Sequence, residues 1–407
     1  MSGVIGAADV RIAKTVTIGG FDHVEAVTIG GGFPVVIQTM WKERLSFSDL
    51  ADSAGEAVAA RINRLKAMGC GLLRFAVPDL QSAEVLGQLA GMVSMPLVAD
   101  IHFDYNIALR CMDFPIAKIR INPGNIGGRD KVRQVLEKAA KKGIPLRIGV
   151  NAGSLPLDLR EAVDKGDLDN AEALVQAAQR ELAIFKEFDF NAVLVSMKAS
   201  GIADTVRANR MLAGRTDAPL HIGVTEAGPL VAGVARNTAA LLHLLTGGIG
   251  DTLRVSLSDT MENEVIAGRE ILGAAAELMT AAELTGTEAS AKRLRRNGVT
   301  IVSCPRCGRH GFDTHGFTAR WMPVLYGLDK NITVAVMGCA VNGPGESRHA
   351  DLGITGAGNK VLIFRRGKVI RTIDAAEEDL SAAGDVSAVG DVSAVADMAF
   401  AEELEKM

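Results

Sequence analysis

The feature that most constrains this chain is a rhythm. From residue 34 onward, short apolar runs ending in polar or Gly-rich residues alternate with longer stretches of helical pattern. Eight such runs can be marked, at 34–40, 72–77, 97–103, 117–122, 146–151, 193–199, 220–225 and 252–257. Helical periodicity between them is clearest at 56–68, 130–142, 170–187 and 262–284. A strand whose successor is reached through a helix pairs with it in parallel, so the alternation predicts a parallel sheet covered by helices. Eight units in a segment of this length predict an α/β fold, a (β/α)8 TIM-type barrel. A doubly wound open sheet is the alternative, weakened because no G-x-G-x-x-G follows the first run.

Ahead of the rhythm, residues 15–29 read as a hairpin around Gly19-Gly20. Gly30-Gly31-Gly32 reads as a turn into the first barrel strand. The barrel domain is expected over residues 1–290. The charged segment 291–297 then leads into a region of different character, and residues 298–375 read as a small α+β domain. Residues 376–407 repeat GDVSAV and turn acidic, which predicts a mobile or loosely helical tail.

Composition narrows the function. Of 407 residues, 48% are hydrophobic, enough for a large core. A formal net charge of -4, with both signs spread along the chain, argues against a general nucleic-acid or membrane-surface binder. Aromatic residues make up 4%, too few for base-stacking platforms. No apolar run approaches the ~20 residues of a membrane span, and the N-terminus has no secretory signal pattern. The expected compartment is cytoplasmic. There, five cysteines favour metal binding or catalysis over disulfides.

Cys304-Pro305-Arg306-Cys307-Gly308 is a CxxC knuckle, in which Pro and Gly shape a turn that aims both sulfurs at one metal. Cys339 follows within MGCAVNGPGE, where flanking glycines allow close backbone approach. Two metal readings stay open. Zinc could take the three cysteines and one of His310, His315 or His349. An iron–sulfur cubane could take the cysteines and leave one iron to an oxygen ligand, for which Glu346 is well placed. Cys70 and Cys111 read as core residues.

The strands carry cations where apolar residues would be expected: Arg74, Arg120, Arg147, Lys198 and Arg254. A charge there is costly unless it is paired or faces a wet cavity. Structural ion pairing is one reading. A shared cavity at the C-terminal strand ends, where barrels build their sites, is the other. A ring of guanidinium groups suits a multiply anionic ligand. Asp100, His102, Asn122, Asn151, Thr225 and Glu226 end neighbouring strands, and Ser256 shares a face with Arg254. The loop PGNIGG after Asn122 could offer backbone donors to an anion.

Several stretches coincide with one family: VADIHFDYNIAL, RINPGNIG, RIGVNAGSL, VSMKASG, GVTEAG, GDTLRVSLS, SCPRCGR and GCAVNGPGE. From about Lys14 to about Arg371 the chain resembles the 4-hydroxy-3-methylbut-2-enyl diphosphate synthases of non-mevalonate isoprenoid biosynthesis, in their bacterial two-domain form. The resemblance implies a barrel joined to a domain with a [4Fe-4S] cluster on Cys304, Cys307 and Cys339, with Glu346 on the fourth iron. It implies an oxidoreductase that reductively dehydrates and ring-opens 2-C-methyl-D-erythritol 2,4-cyclodiphosphate, with reduced flavodoxin or ferredoxin as donor. Carried over motif by motif, Arg74, Arg120, Arg147, Lys198, Arg254 and Ser256 hold the diphosphate. Asp100, Asn122, Asn151, Thr225 and Glu226 surround the carbon skeleton, with Glu226 as the candidate proton donor. It also implies a homodimer with an active site shared between chains. The chain departs from the family at Thr39 and at Trp41-Lys42, where Gln-Ser-Met-Thr is usual, and at Ser258-Asp259, where Ala-Ala-Asp is frequent. The competing enzyme reading is a phosphate-binding barrel lyase or transferase with a structural zinc site.

Overall fold

A computed structural model of the chain describes residues 11–281, 292–294, 298–305, 307, 311–339, 341–357, 360–374 and 392–407. It divides into two compact units, Met1–Arg296 and Asn297–Met407.

The first unit opens with an antiparallel hairpin, β1 (Val16–Ile18) and β2 (Val27–Ile29). Gly19 and Gly20 both have positive φ, and a Cβ on Gly19 would fall 2.1 Å from the Glu25 carbonyl oxygen. Val16, Ile18 and Ile29 pack against Val36, Leu72, Val98, Ala117 and Leu194. These lie toward the N-terminal ends of the strands that follow, so the hairpin plugs that end of the barrel.

Eight parallel strands then build one sheet: β3 (Val36–Met40), β4 (Cys70–Ala76), β5 (Leu97–Asp100), β6 (Lys118–Ile121), β7 (Leu146–Asn151), β8 (Val193–Lys198), β9 (His221–Ile222) and β10 (Thr252–Leu253). The spatial order is β8-β7-β6-β5-β4-β3-β10-β9. A parallel bridge between Val195 and Leu220 joins the two ends, so the sheet closes into the expected (β/α)8 barrel. The crossovers are α1 (Asp52–Ala67), α2 (Leu80–Ala90), α3 (Tyr105–Cys111), α4 (Arg129–Lys142), the pair α5 (Leu157–Asp164) and α6 (Asn170–Glu187), α7 (Ile202–Ala213), α8 (Leu230–Leu245) and α9 (Met261–Ala281). Aspartates cap α2, α3 and α6, each accepting a backbone N–H in the first turn.

The last two barrel strands are much shorter than the apolar runs at 220–225 and 252–257. Side chains take the backbone donors that a longer ladder would use. Asn237 Oδ1 accepts Val224 N–H at 3.1 Å, and Glu264 Oε1 accepts Leu257 N–H at 3.0 Å. The segment after residue 290 also differs from a plain linker. Leu294 is buried, and Arg293 donates to Asp251 Oδ1 at 2.9 Å, so the barrel unit extends through these residues.

The second unit is a five-stranded sheet in sequence order: β11 (Thr300–Ser303), β12 (Thr333–Met337), β13 (Leu352–Ala357), β14 (Lys360–Arg365) and β15 (Lys368–Asp374). The first three strands are parallel and the last two antiparallel. Helix α10 (Thr314–Tyr326) connects β11 to β12 and shares its core with α11 (Val392–Glu405).

Of the tail at 376–407, expected to be mobile or loosely helical, residues 376–391 lie outside the described residues, and the remainder is helix α11, which is packed rather than loose. Ala396, Ala399, Phe400 and Leu404 recur at helical spacing and are buried with Phe317, Val334 and Ile363. Phe400 meets Phe317 edge-on at 5.2 Å and Trp321 at 4.9 Å. Asp397 accepts from Trp321 Nε1 at 2.7 Å, and Lys330 Nζ caps the Leu404 carbonyl at 2.9 Å. A short repeat and low aromatic content hid one well-placed aromatic anchor. Phe400→Ala is expected to destabilise this unit by about 3–5 kcal/mol, read as a lowered urea midpoint for its transition. An unchanged midpoint would mean that α11 contributes nothing to its core.

Candidate functional site

The barrel strands align their charged residues by register. Asp100 on β5 pairs with Arg120 on β6, and Arg120 with Arg147 on β7. Residues on one rung of a sheet project to the same face, here the barrel interior. Arg74 on β4, Lys198 at the end of β8 and Arg254 just past β10 complete the ring. Together with His102, Asn151, Thr225, Ser256 and Ser196, these residues line one cavity of about 90 Å3 at the C-terminal end of the barrel.

Asp100 sits between two of the cations. Its Oδ1 accepts Arg120 Nη1 at 3.0 Å and its Oδ2 lies 3.5 Å from Arg74 Nε. Burial disfavours the carboxylate, but Arg74, the His102 hydrogen bond and Arg120 outweigh it and hold its pKa well below the usual range. His102, half exposed at the mouth, approaches Arg120 Nη1 at 3.0 Å. Arg120 Nη2 also donates to the Gly149 carbonyl at 3.3 Å. Position 149 has to be glycine for this arrangement, because a Cβ there would stand 2.2 Å from Arg120 Nε.

The other cations are less compensated. Arg147 is 1% exposed, and its Nε and Nη2 have no hydrogen-bond partner among the described residues. Burial, then the charges of Arg74 and Arg120, push its pKa well below the ordinary value. Lys198 is lowered likewise, by burial and then by Arg147, Arg254 and Arg74. Arg74 falls to about 10 through burial, partly offset by Asp100. A buried cavity with this much unbalanced positive charge and this many unused donors is suited to a ligand with several anionic oxygens.

In the second unit, Cys304 and Cys339 follow neighbouring parallel strands. Ser303 pairs with Val336, and Cys304 N–H donates to the Val336 carbonyl at 2.9 Å. Cys304 is half-buried, Cys307 exposed and Cys339 buried. Cys339 leads into a π-helical turn, Val341–Glu346, whose Gly343 N–H donates back to the Cys339 carbonyl at 3.0 Å. Gly343 packs against Thr355, where a Cβ would approach within 2.7 Å. Glu346 ends this turn, and its side chain lies outside the described residues, as does His310. No group of three or more metal-ligating side chains is already gathered among the described residues. The fit to a cluster therefore rests on the chemistry and placement of the thiols: soft donors at the adjacent ends of two paired strands.

The model of the GcpE TIM-barrel domain matches residues 22–269, and that of the GcpE protein C-terminal domain matches residues 300–383. The chain belongs to the GcpE family. Among its relatives is the 4-hydroxy-3-methylbut-2-en-1-yl diphosphate synthase (flavodoxin) of Treponema pallidum, 51% identical over 372 residues, covering 90% of this chain and 87% of that one. The Treponema denticola protein of the same name is 48% identical, covering 90% of this chain and 93% of its own. That of Caldicellulosiruptor saccharolyticus is 40% identical, covering 86% and 93%.

Within this GcpE barrel, two sequence-selected residues stand apart from the cavity lining. Asn122 is buried, and its carbonyl accepts Asn125 N–H to form the turn after β6. Glu226 is exposed and holds a left-handed backbone with φ 51, a conformation that costs a non-glycine residue energy and is often retained at functional loops. Sequence reasoning passed over Ser196, although its spacing of two from Lys198 marks it as inward-facing. It also passed over Lys118, fully buried with Nζ 3.4 Å from Gln38 Oε1, and over Glu264. His221, given no role, is buried with Nδ1 against Thr252 Oγ1 at 2.5 Å.

A bound anion would reverse the field that lowers Lys198, raising its proton affinity. At a pH between the free and bound values, binding should take up as much as about one proton. The check is the slope of inorganic pyrophosphate binding enthalpy against buffer ionisation enthalpy. Uptake is expected in the unaltered chain and reduced in Lys198→Met; equal slopes would show that Lys198 is already fully charged.

Proposed function

We propose that this chain converts 2-C-methyl-D-erythritol 2,4-cyclodiphosphate to 4-hydroxy-3-methylbut-2-enyl diphosphate, with the diphosphate held by the cation ring of the barrel. The observation that carries the reading is the shared rung Asp100–Arg120–Arg147, with Arg74, Lys198 and Arg254 around the same cavity. The reaction breaks the C–O bond that closes the cyclodiphosphate ring and loses a hydroxyl as water. It consumes two electrons and a proton for the departing water. A [4Fe-4S] cluster on Cys304, Cys307 and Cys339, with Glu346 as its exchangeable ligand, would pass those electrons singly from reduced flavodoxin to the substrate.

The chain's own residues do the rest. Arg120, with one guanidinium edge fixed by Asp100, and Arg147, with two unused donors, bind the diphosphate oxygens. Charge accumulates on the diphosphate as the C–O bond breaks, and Arg74, Lys198 and Arg254 offset it. Ser256, Thr225 and Asn151 supply neutral hydrogen bonds that orient the carbon skeleton. Asp100 and His102 keep the neighbouring guanidinium groups in place at the mouth. Glu226 carries the proton that leaves with the water, from a carboxyl held on a strained turn. Asn122, behind the lining, shapes the Gly-rich loop. Ferredoxin as an alternative donor, a homodimer with a shared active site and a cytoplasmic location belong to the same proposal. Among the described residues, no helix is long and apolar enough to cross a membrane.

The test is turnover of the cyclodiphosphate by the anaerobically reconstituted full chain with reduced flavodoxin, alongside iron, sulfide and zinc analysis. Product formation with iron and sulfide present is expected. Cys339→Ser should abolish visible absorbance and turnover while leaving calorimetric binding of the cyclodiphosphate within about threefold. Stoichiometric zinc without visible absorbance would instead favour the lyase or transferase with a structural zinc site.

A further inference from the structure

Glu264 stands in the first turn of α9, 1% exposed, and had no part in the sequence-level site. Its carboxylate gathers donors from both sides of the seam where β10 closes against β3. From the β3 side, Thr39 Oγ1 donates to Oε2 at 2.6 Å and Lys42 Nζ to Oε1 at 2.5 Å. From the β10 side, Arg254 Nε donates to Oε2 and Nη2 to Oε1, both at 3.0 Å, and Leu257 N–H adds a bond to Oε1 at 3.0 Å. The Arg254 contact is a two-pronged fork, the geometry that fixes a guanidinium plane most firmly.

The consequence is directional. With Nε and Nη2 both engaged by Glu264, Arg254 keeps Nη1, which among the described residues stands 3.5 Å from Met40 Sδ, for the cavity that it lines. Asp100 restrains Arg74 and Arg120 through one nitrogen each, whereas Arg147 and Lys198 have no carboxylate contact of this kind among the described residues. The ring therefore contains cations aimed by a carboxylate and cations that only a ligand would engage. Lys42 adds a second cation to the Glu264 hub and also bonds the Leu257 carbonyl at 3.0 Å. The same carboxylate thus ties the loops after β3 and β10 together.

We infer that Glu264 is a positioning residue for the cyclodiphosphate, which acts by fixing the plane of Arg254 and with it the donor that faces the ligand. The inference rests on the cation ring being the diphosphate site. Replacing the carboxylate by an amide keeps the volume but turns one acceptor into a donor that faces Arg254 in either orientation, which breaks the fork.

A double-mutant cycle on the full-length, cluster-reconstituted protein tests it, with cyclodiphosphate affinity measured by calorimetry and turnover by kinetics. Glu264→Gln should weaken binding by about tenfold or more and raise KM by a similar factor, with a smaller loss in kcat. Adding it to Arg254→Ala should cost nothing further, because Glu264 acts through that guanidinium. Additive losses would overturn the inference, as would unchanged affinity in Glu264→Gln. If Glu264→Gln does not fold, Glu264→Asp retains the charge, shortens the reach and enters the same cycle with the same expected non-additivity. Arg147→Ala and Lys198→Ala separate the diphosphate site from the positioning role of Glu264. If they weaken binding while Glu264 variants do not, the diphosphate site stands and the positioning role fails. If neither they nor Arg254→Ala weaken it, the diphosphate site fails and the role of Glu264 with it.

Discussion

Positive charge buried at the mouth of a parallel barrel is the constraint on which the rest of the structure depends. Removing a charged group from water costs several kcal/mol, and like charges side by side add repulsion. This chain places Arg74, Arg120, Arg147, Lys198 and Arg254 around one small cavity, with Lys118 buried below. Asp100 and Glu264 relieve part of that cost. The remainder is visible in the lowered proton affinities of Lys198, Arg147 and Lys118, and in guanidinium nitrogens without partners. A fold keeps such an arrangement where a ligand supplies the missing negative charge.

The surrounding architecture follows from holding that ring still. The hairpin of β1 and β2 fills the opposite end of the barrel with apolar side chains. Gly149 leaves room for the Arg120 guanidinium, and Gly223 lets the chain pass close to the Arg254 carbonyl, where a Cβ would stand at 2.3 Å. Asn237 and Glu264 replace the outer ladder of β9 and β10 with side-chain hydrogen bonds. Those strands end early, and the segments beyond them carry Thr225, Glu226, Arg254 and Ser256 as loop residues. The second unit places Cys304 and Cys339 by another device, just past the ends of adjacent parallel strands, with Cys304 packed against Ala335, Met337, Ala350 and Phe364.

Much of this was legible in the amino-acid order, because it rests on local periodicity. Alternating apolar runs and helical stretches specify a parallel sheet without knowledge of any contact. A charged residue inside an apolar run announces an unusual environment wherever the strand ends up. The CxxC knuckle and the distant third cysteine announce soft-metal chemistry, though not which metal. What failed to show was held by long-range partners. The helix around Phe400 looked like a loose tail because its stability comes from Phe317 and Trp321, far away in the chain. Glu264 looked like one more acid in the first turn of a helix, since Thr39 and Lys42, which join Arg254 on its carboxylate, lie on and after β3, remote in the chain.

The sequence by itself determined the barrel class, the identity of the strand cations and the spacing of the cysteines, since each depends on residue type and short-range pattern. Only the tertiary structure decided which cations share a cavity, which of them a carboxylate restrains and which are left for a ligand. Those properties depend on strand register and on the closure of β10 against β3, where Thr39 and Glu264, remote in sequence, come within 2.6 Å.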